Sequence, residues 1–250
     1  MKSIAKLIFI ALAIMLPAVS FGQKDVTKFL GIPVDGTKSE MIRKLQAKGF
    51  KLVNDPYSDE KYLEGEFNGE DVNVYVVTNN DKVYRICVID KTLRDETDIR
   101  IRFNKLVRQF AFNDKYSCGS ESFVDFIISS DEDINYGITV LNKRYSASFF
   151  QNITDSIAYT KEIEEIFSKF SMEDINNYIE YLNHSKSSSL SNSSHDGFNS
   201  TNPTFMEMEL LMSQYIYRRS VWFMINKTLG KYQILLYYDN GYNQANGEDL

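Results

Sequence analysis

The sequence predicts an α+β protein built on antiparallel sheet, with helices packed on one face. Three observations support this prediction. Capping signals open short amphipathic helices, as at Thr37 and Glu40. Runs rich in Val, Ile, Tyr and Phe are separated by Asn-Gly or Asn-Asp pairs, which favour tight hairpins. A helix followed by such a meander recurs along the chain, which indicates a duplicated structural unit.

Composition excludes several classes of protein. The chain has 250 residues, of which 43% are hydrophobic, and this length can bury a core without disulfides or a metal. With 28 basic and 34 acidic residues the formal charge is -6, so we expect no nucleic-acid partner. Only 2 His and 2 Cys are available, and no glycine-rich phosphate loop occurs. We therefore expect neither a metal nor a cofactor.

Residues 1–22 have the three-part order of a secretion signal. Two lysines precede an apolar run from Leu7 to Leu16, and small residues then lead to a cleavage point before Gln23. The run is too short to cross the ~30 Å of hydrocarbon in a bilayer. We expect a mature chain without a transmembrane segment, located in the periplasm or outside the cell.

The first unit of the mature chain is expected at residues 23–114. It begins with a helix over residues 38–48, which Thr37 caps, and continues with strands at 62–68, 72–78 and 82–90. A second helix follows with an apolar stripe at helical spacing, formed by Ile99, Phe103, Leu106, Val107 and Phe110. Its basic residues are expected on the solvated face: Arg100, Arg102, Lys105 and Arg108.

The second unit is expected at residues 115–250. Strands are predicted at 122–129, 136–142 and 144–150, followed by a pair of helices. Residues 185–201 include 8 Ser among 17 residues and predict a flexible loop. A helix at 205–217 then leads to a final hairpin of two nearly continuous apolar strands, at 220–226 and 232–238. Such strands are typical of the centre of a sheet.

Two stretches of the chain carry a resemblance. They are FLGIPVDGTKSEMI at residues 29–42, with KGF at 48–50, and the end of the chain, with VWF at 221–223, GKY at 230–232, YYDN at 237–240 and NQANGEDL at 243–250. Together they resemble a group of exported proteins of Gram-negative bacteria that carries no assigned activity. The Gly-Thr-x-x-Glu pattern before a meander is also similar to the beta-lactamase inhibitor protein and to small outer-membrane assembly lipoproteins. That similarity implies a binding protein without a catalytic site, although this chain has no Cys after the apolar run for a lipid anchor.

The residues themselves favour the same function, a non-catalytic protein that binds an unknown protein or another envelope component. The chain contains 16 Tyr and 17 Phe, and tyrosine is enriched at protein interfaces. Our candidate contact residues lie near the end of the chain, where tyrosines accompany two arginines: Tyr215, Tyr217, Arg218, Arg219, Tyr237, Tyr238 and Tyr242.

The alternative function is an envelope glycan or peptide hydrolase. Glu64 and Glu66 are two residues apart and lie on the same face of a predicted strand, and their separation of about 7 Å suits an inverting glycosidase. Acidic residues also cluster at 131–133. The two histidines, His184 and His195, flank the Ser-rich segment, where a rigid triad is not expected.

The two cysteines leave two interpretations open. Export would place Cys87 and Cys118 in an oxidising compartment, which permits a disulfide between them. The other interpretation is two buried, reduced thiols that act as small hydrophobic side chains.

Overall fold

A computed structural model of the chain describes residues 25–55, 60–153, 156–188 and 202–245. The described helices are α1 (Lys38–Ala47), α2 (Glu96–Ala111), α3 (Ile134–Thr139), α4 (Ser156–Phe167), α5 (Met172–Ser188) and α6 (Pro203–Tyr217). The described strands are β1 (Lys28–Phe29), β2 (Ile32–Pro33), β3 (Lys51–Asn54), β4 (Lys61–Phe67), β5 (Glu70–Asn79), β6 (Lys82–Asp90), β7 (Tyr116–Cys118), β8 (Ser146–Gln151), β9 (Ser220–Thr228) and β10 (Lys231–Asp239).

The predicted α+β class with antiparallel sheet is confirmed. Strands β1 and β2 form a small ribbon, and the other eight form one sheet in the order β3-β4-β5-β6-β10-β9-β8-β7. Each half of this sheet consists of four strands that pair in chain order, and the halves join where β6 pairs with β10. As predicted from their apolar runs, β9 and β10 are central strands.

One helix packs on each half of the sheet. Helix α1 contacts β3 to β6, whereas α2 contacts β7, β9 and β10. Each half is therefore a helix followed by four strands. The sequence assigned α2 to a first unit that ends at residue 114, but its packing places it with the second set of strands.

The predicted hairpin turns are present. Asn68 and Gly69 join β4 to β5 with φ of 56° and 75°, and Asn80 and Asp81 join β5 to β6 with φ of 48° and 61°. Asn, Asp and Gly tolerate these left-handed conformations at low cost, and such turns match the twist of antiparallel strands. The local sequence thus specifies the register of the first meander.

The main core lies between the sheet and helices α1 and α2. The apolar stripe of α2 is buried, as its spacing predicted. At the centre, the Phe223 ring packs against the rings of Phe103, Phe110 and Phe149 at 5.1, 5.7 and 6.2 Å. This aromatic cluster joins α2 to the last strands of the sheet.

Arg102 corrects the expectation that the basic residues of α2 all face solvent. Its side chain is buried, and its Nε donates to Asp90 on β6 at 3.0 Å. Arg94 also donates to Asp90, at 3.1 Å. A charge at this depth is tolerated because it is paired. The ion pair thereby links α2 to the first half of the sheet.

Two strands predicted in the second unit are wrong. Residues 123–126 form a 3-10 helix, and residues 134–139 form α3. The side chains of Ser122 and Asp133 accept hydrogen bonds from the backbone N–H of Val124 and Tyr136, at 3.2 and 2.7 Å. These short polar side chains begin helical turns, and their effect outweighs the apolar composition. Strand β8 starts two residues later than predicted, at Ser146.

Helices α4, α5 and α6 form a helical lobe inserted between β8 and β9. The lobe has its own small core of Tyr178, Phe205 and Met208. Helix α5 continues to Ser188, so the first four residues of the predicted flexible loop are helical. The rest of that loop, residues 189–201, and the predicted secretion signal, residues 1–22, lie outside the described residues. Within the described residues, every helix is too short or too polar to cross a membrane.

Candidate functional site

The face of the sheet opposite α1 and α2 carries a line of aromatic side chains. Cross-strand partners Tyr75, Cys87, Tyr237 and Trp222 lie side by side on four adjacent strands, β5, β6, β10 and β9. Tyr62 on β4 extends the line, because its ring stacks on that of Tyr75 at 5.4 Å. We call these five residues the open-face row. All five are half-buried, so part of each side chain is accessible to a partner.

An ion pair holds the centre of the open-face row in place. Arg85 donates from Nε and Nη2 to the carboxylate of Asp239, at 2.6 and 2.8 Å. The indole N–H of Trp222 donates to the same carboxylate at 2.9 Å. Bidentate bonding fixes the plane of the guanidinium, and the hydrogen bond to Asp239 raises the pKa of Arg85.

Aromatic rings surround this guanidinium. Its Cζ lies 5.0 Å from the centre of the Tyr237 ring and 5.5 Å from that of Trp222. The Trp222 and Tyr237 rings stack at 4.1 Å with an angle of 21° between their planes. Cation–π attraction and ring stacking both favour this arrangement. The rings are therefore set in position before any partner binds.

A groove of ≈ 480 Å³ lies along one side of the open-face row. Tyr75, Cys87 and Tyr237 line it, together with Ile89 and Arg85. Burial raises the pKa of the Cys87 thiol to about 11 and that of the Tyr237 phenol to about 12. Both groups stay protonated at neutral pH. The floor thus offers aromatic faces and neutral hydrogen-bonding groups, and no thiolate nucleophile.

The seven candidate contact residues do not form one surface. Tyr237 belongs to the open-face row. Tyr215, Arg219 and Tyr238 are only 2%, 3% and 3% exposed, so these three are corrected from contact residues to interior residues. Tyr238 packs on Phe29 in the main core at 5.0 Å. The strand period explains this outcome, because neighbours on β10 point to opposite faces.

Arg219 and Tyr215 instead hold the end of α6 against the residues that precede β1, at Asp25. The Arg219 guanidinium lies 4.7 Å from the centre of the Tyr215 ring, and its Nη1 is 3.7 Å from the Asp25 carboxylate. Burial raises the pKa of Tyr215. These contacts are internal, so both side chains stabilise the lobe.

Tyr217, Arg218 and Tyr242 lie at the junction between the helical lobe and the sheet. Tyr242 donates its hydroxyl to Glu162 on α4 at 2.6 Å, and the Arg218 guanidinium lies 4.9 Å from its ring centre. Tyr217 is 58% exposed and packs edge-on against Phe150 at 5.0 Å. Of the three, only Tyr217 presents a large accessible ring.

Of the carboxylates considered for hydrolysis, Glu64, Glu132 and Asp133 are engaged in local contacts. Glu64 forms an ion pair with Lys91 at 3.0 Å, and Asp133 caps α3. Lys143 binds Glu132 at 2.6 Å and lowers its pKa, whereas a general acid needs a raised pKa. The hydrolase stays a prediction from sequence that gains no support from this geometry. Among the described residues, no group of three or more His, Cys, Asp and Glu side chains could hold a metal.

The positions of Cys87 and Cys118 in the sheet exclude a disulfide between them. Both are free, and Cys87 on β6 is separated from Cys118 on β7 by β10, β9 and β8. Four steps between strands correspond to about 19 Å, far beyond the span of a disulfide. Cys118 packs against the main core, whereas Cys87 lines the groove on the other face. The interpretation as two reduced thiols fits this placement.

Five residues of the site were not among the candidates: Tyr62, Tyr75, Arg85, Trp222 and Asp239. Tyr62, Tyr75, Arg85 and Trp222 lie in predicted strands, each next to at least one residue that is buried in the core. The alternation within the strands could have identified the three aromatic residues, because they occupy positions that are usually polar in an antiparallel sheet with one exposed face. What the sequence did not show is that these positions lie next to one another.

Comparison with known proteins adds no relative: no family model matches the chain, and searches of curated proteins and of solved structures gave no match.

Proposed function

We propose that the protein is a non-catalytic binding protein of the bacterial cell envelope whose partner contacts the open-face row. The predicted secretion signal supports the location. The observation that carries the proposal is the preorganised aromatic surface, in which Arg85 and Asp239 fix the stacked rings of Trp222 and Tyr237.

Two physical arguments connect this surface with binding. Tyr, Trp and Arg are the residues that most often dominate the energy of protein interfaces. Side chains that are already ordered lose little conformational entropy when a partner arrives. An aromatic line across the middle of a sheet, beside an open groove, therefore suits recognition of another molecule.

The test measures retention of envelope components by immobilised protein. Tyr75→Ala and Tyr237→Ala each remove one ring from the row, and Tyr136→Ala is the matched control, since Tyr136 is an exposed tyrosine on α3. We expect each row variant to lower the affinity for a retained partner about tenfold or more, with the control unchanged. Thermal unfolding of all variants verifies that they are folded. Equal retention by wild type and both row variants would refute the proposal.

A further inference from the structure

The rim of the groove carries charge opposite in sign to the protein as a whole. The formal charge of the chain is -6, yet among the described residues that line the groove Lys38, Lys61 and Arg85 outnumber the carboxylate of Glu60. Lys38 begins α1 and Lys61 begins β4. In the part of the chain that the structure describes, neither lysine forms a salt bridge.

The third cation of the groove is already neutralised. Arg85 is bound on two nitrogens by Asp239, so it contributes its planar face and not an unpaired charge. The floor below it consists of aromatic and aliphatic side chains, among them Tyr75, Tyr237 and Ile89. The groove thus combines an apolar floor with two lysines and one carboxylate, which leaves a net positive charge among the described residues that line it.

From this arrangement we infer that the groove binds an acidic peptide segment, with one apolar or aromatic side chain on the floor and carboxylates facing Lys38 and Lys61. The inference rests on the proposed binding function and names the chemistry of the partner. An extended peptide suits the shape, because the groove is open and its floor spans the adjacent strands β5, β6 and β10. A nucleic acid is less suited, since two lysines do not form the basic track that follows a phosphate backbone.

The experiment titrates the purified protein with three blocked peptides that share a central Phe: acidic EDFDE, neutral SNFNS and basic KRFRK. Calorimetry gives the affinity. Trp222, the single tryptophan of the chain, reports occupancy by fluorescence because it stacks on the groove residue Tyr237. We expect EDFDE to bind most tightly, KRFRK most weakly, and added salt to weaken binding of EDFDE.

Charge reversal locates the contact. Lys38→Glu and Lys61→Glu should each weaken binding of EDFDE about five- to tenfold at low salt, since each loses one ion pair and gains one repulsion. Lys105→Glu is the matched control, because Lys105 is an exposed lysine on α2 and does not line the groove. Its affinity for EDFDE should equal that of the wild type.

Three results would overturn the inference: equal affinity for SNFNS and EDFDE, no effect of either charge reversal, or preferential binding of an oligothymidylate. If retention of an envelope partner still requires Tyr237 while both charge reversals leave it unchanged, the proposed function stands and only the acidic specificity fails. If neither Tyr75→Ala nor Tyr237→Ala lowers the retention of envelope components, the proposed function is refuted instead.

Discussion

Removing the charge of Asp239 should destabilise the protein, because this carboxylate joins three elements of the site. Its side chain is only 5% exposed, and it accepts hydrogen bonds from Arg85 and from the Trp222 indole. Asp239→Asn keeps the shape of the side chain and removes the charge that balances the guanidinium. We expect the free energy of unfolding to fall.

The magnitude follows from the exposure of the two partners. Breaking one side of a buried ion pair costs about 3–5 kcal/mol. Arg85 is 27% exposed, so water can solvate part of its charge after the substitution, and Asn retains one acceptor oxygen. The cost of Asp239→Asn should therefore be about 2 kcal/mol. Arg85→Met leaves the more deeply buried carboxylate unpaired and should cost about 3 kcal/mol.

Urea unfolding followed by Trp222 fluorescence and by circular dichroism measures these changes. The two signals report the site and the whole fold respectively, and they should coincide if unfolding is two-state. In the double variant Arg85→Met/Asp239→Asn the loss should be smaller than the sum of the single losses by at least about 1 kcal/mol. Two additive losses, or single losses below about 0.5 kcal/mol, would show that the ion pair does not hold the site together.

Two further predictions concern the sheet. A chain shortened after Ser185 lacks the central strands β9 and β10, so it should show no cooperative thermal transition; a soluble fragment with a sharp calorimetric transition would contradict the central role of that hairpin. In a Cys118→Ser variant the remaining thiol, Cys87, has its pKa raised from 9.0 to about 11, so its thiolate fraction at pH 8 is lowered about a hundredfold. Alkylation of Cys87 at pH 8 should therefore be much slower than alkylation of a small thiol of ordinary pKa, and it should accelerate as the pH rises towards 11. If Cys87 is alkylated as fast as the small thiol at pH 8, it is not desolvated.

The sequence predicted local structure best at helix caps and tight turns, where a few adjacent residues favour one conformation strongly. The Thr37–Glu40 capping box and the turn at Asn68–Gly69 occur as expected. In both cases the interacting groups are at most three residues apart, so no distant contact is needed to form them. The stripe of α2 was predictable for a similar reason, since helical spacing alone places its apolar residues on one side.

The prediction failed where competing local signals were close in strength. Residues 134–139 contain β-branched and aromatic side chains that favour strand, but the cap supplied by Asp133 begins α3. Arginine is usually found on the solvated face of a helix, as the sequence predicted for Arg102. Its burial is favourable because it pairs with Asp90, which lies on the strand β6. Its position depends on how α2 sits on the sheet, which helical spacing does not specify.

The candidate site was only partly predictable. Tyr237 was identified as a contact residue, but Tyr75, Cys87 and Trp222 become its neighbours only through the pairing of β5 with β6, β6 with β10 and β10 with β9. The critical pairing joins Cys87 to a strand about 150 residues further along the chain. No turn or spacing rule fixes a pairing over that distance.

By itself, the sequence determined the class of fold, the hairpins, the central character of the last two strands and the buried face of α2. These features follow from periodicity, caps and turns, which act over a few residues. Only the tertiary structure decided that two four-strand halves join at β6 and β10, which tyrosines face the core and which face the groove, and that the cysteines stay apart. Those outcomes depend on long-range packing, in which the burial of apolar area selects one register and one sheet order from the many that local preferences allow.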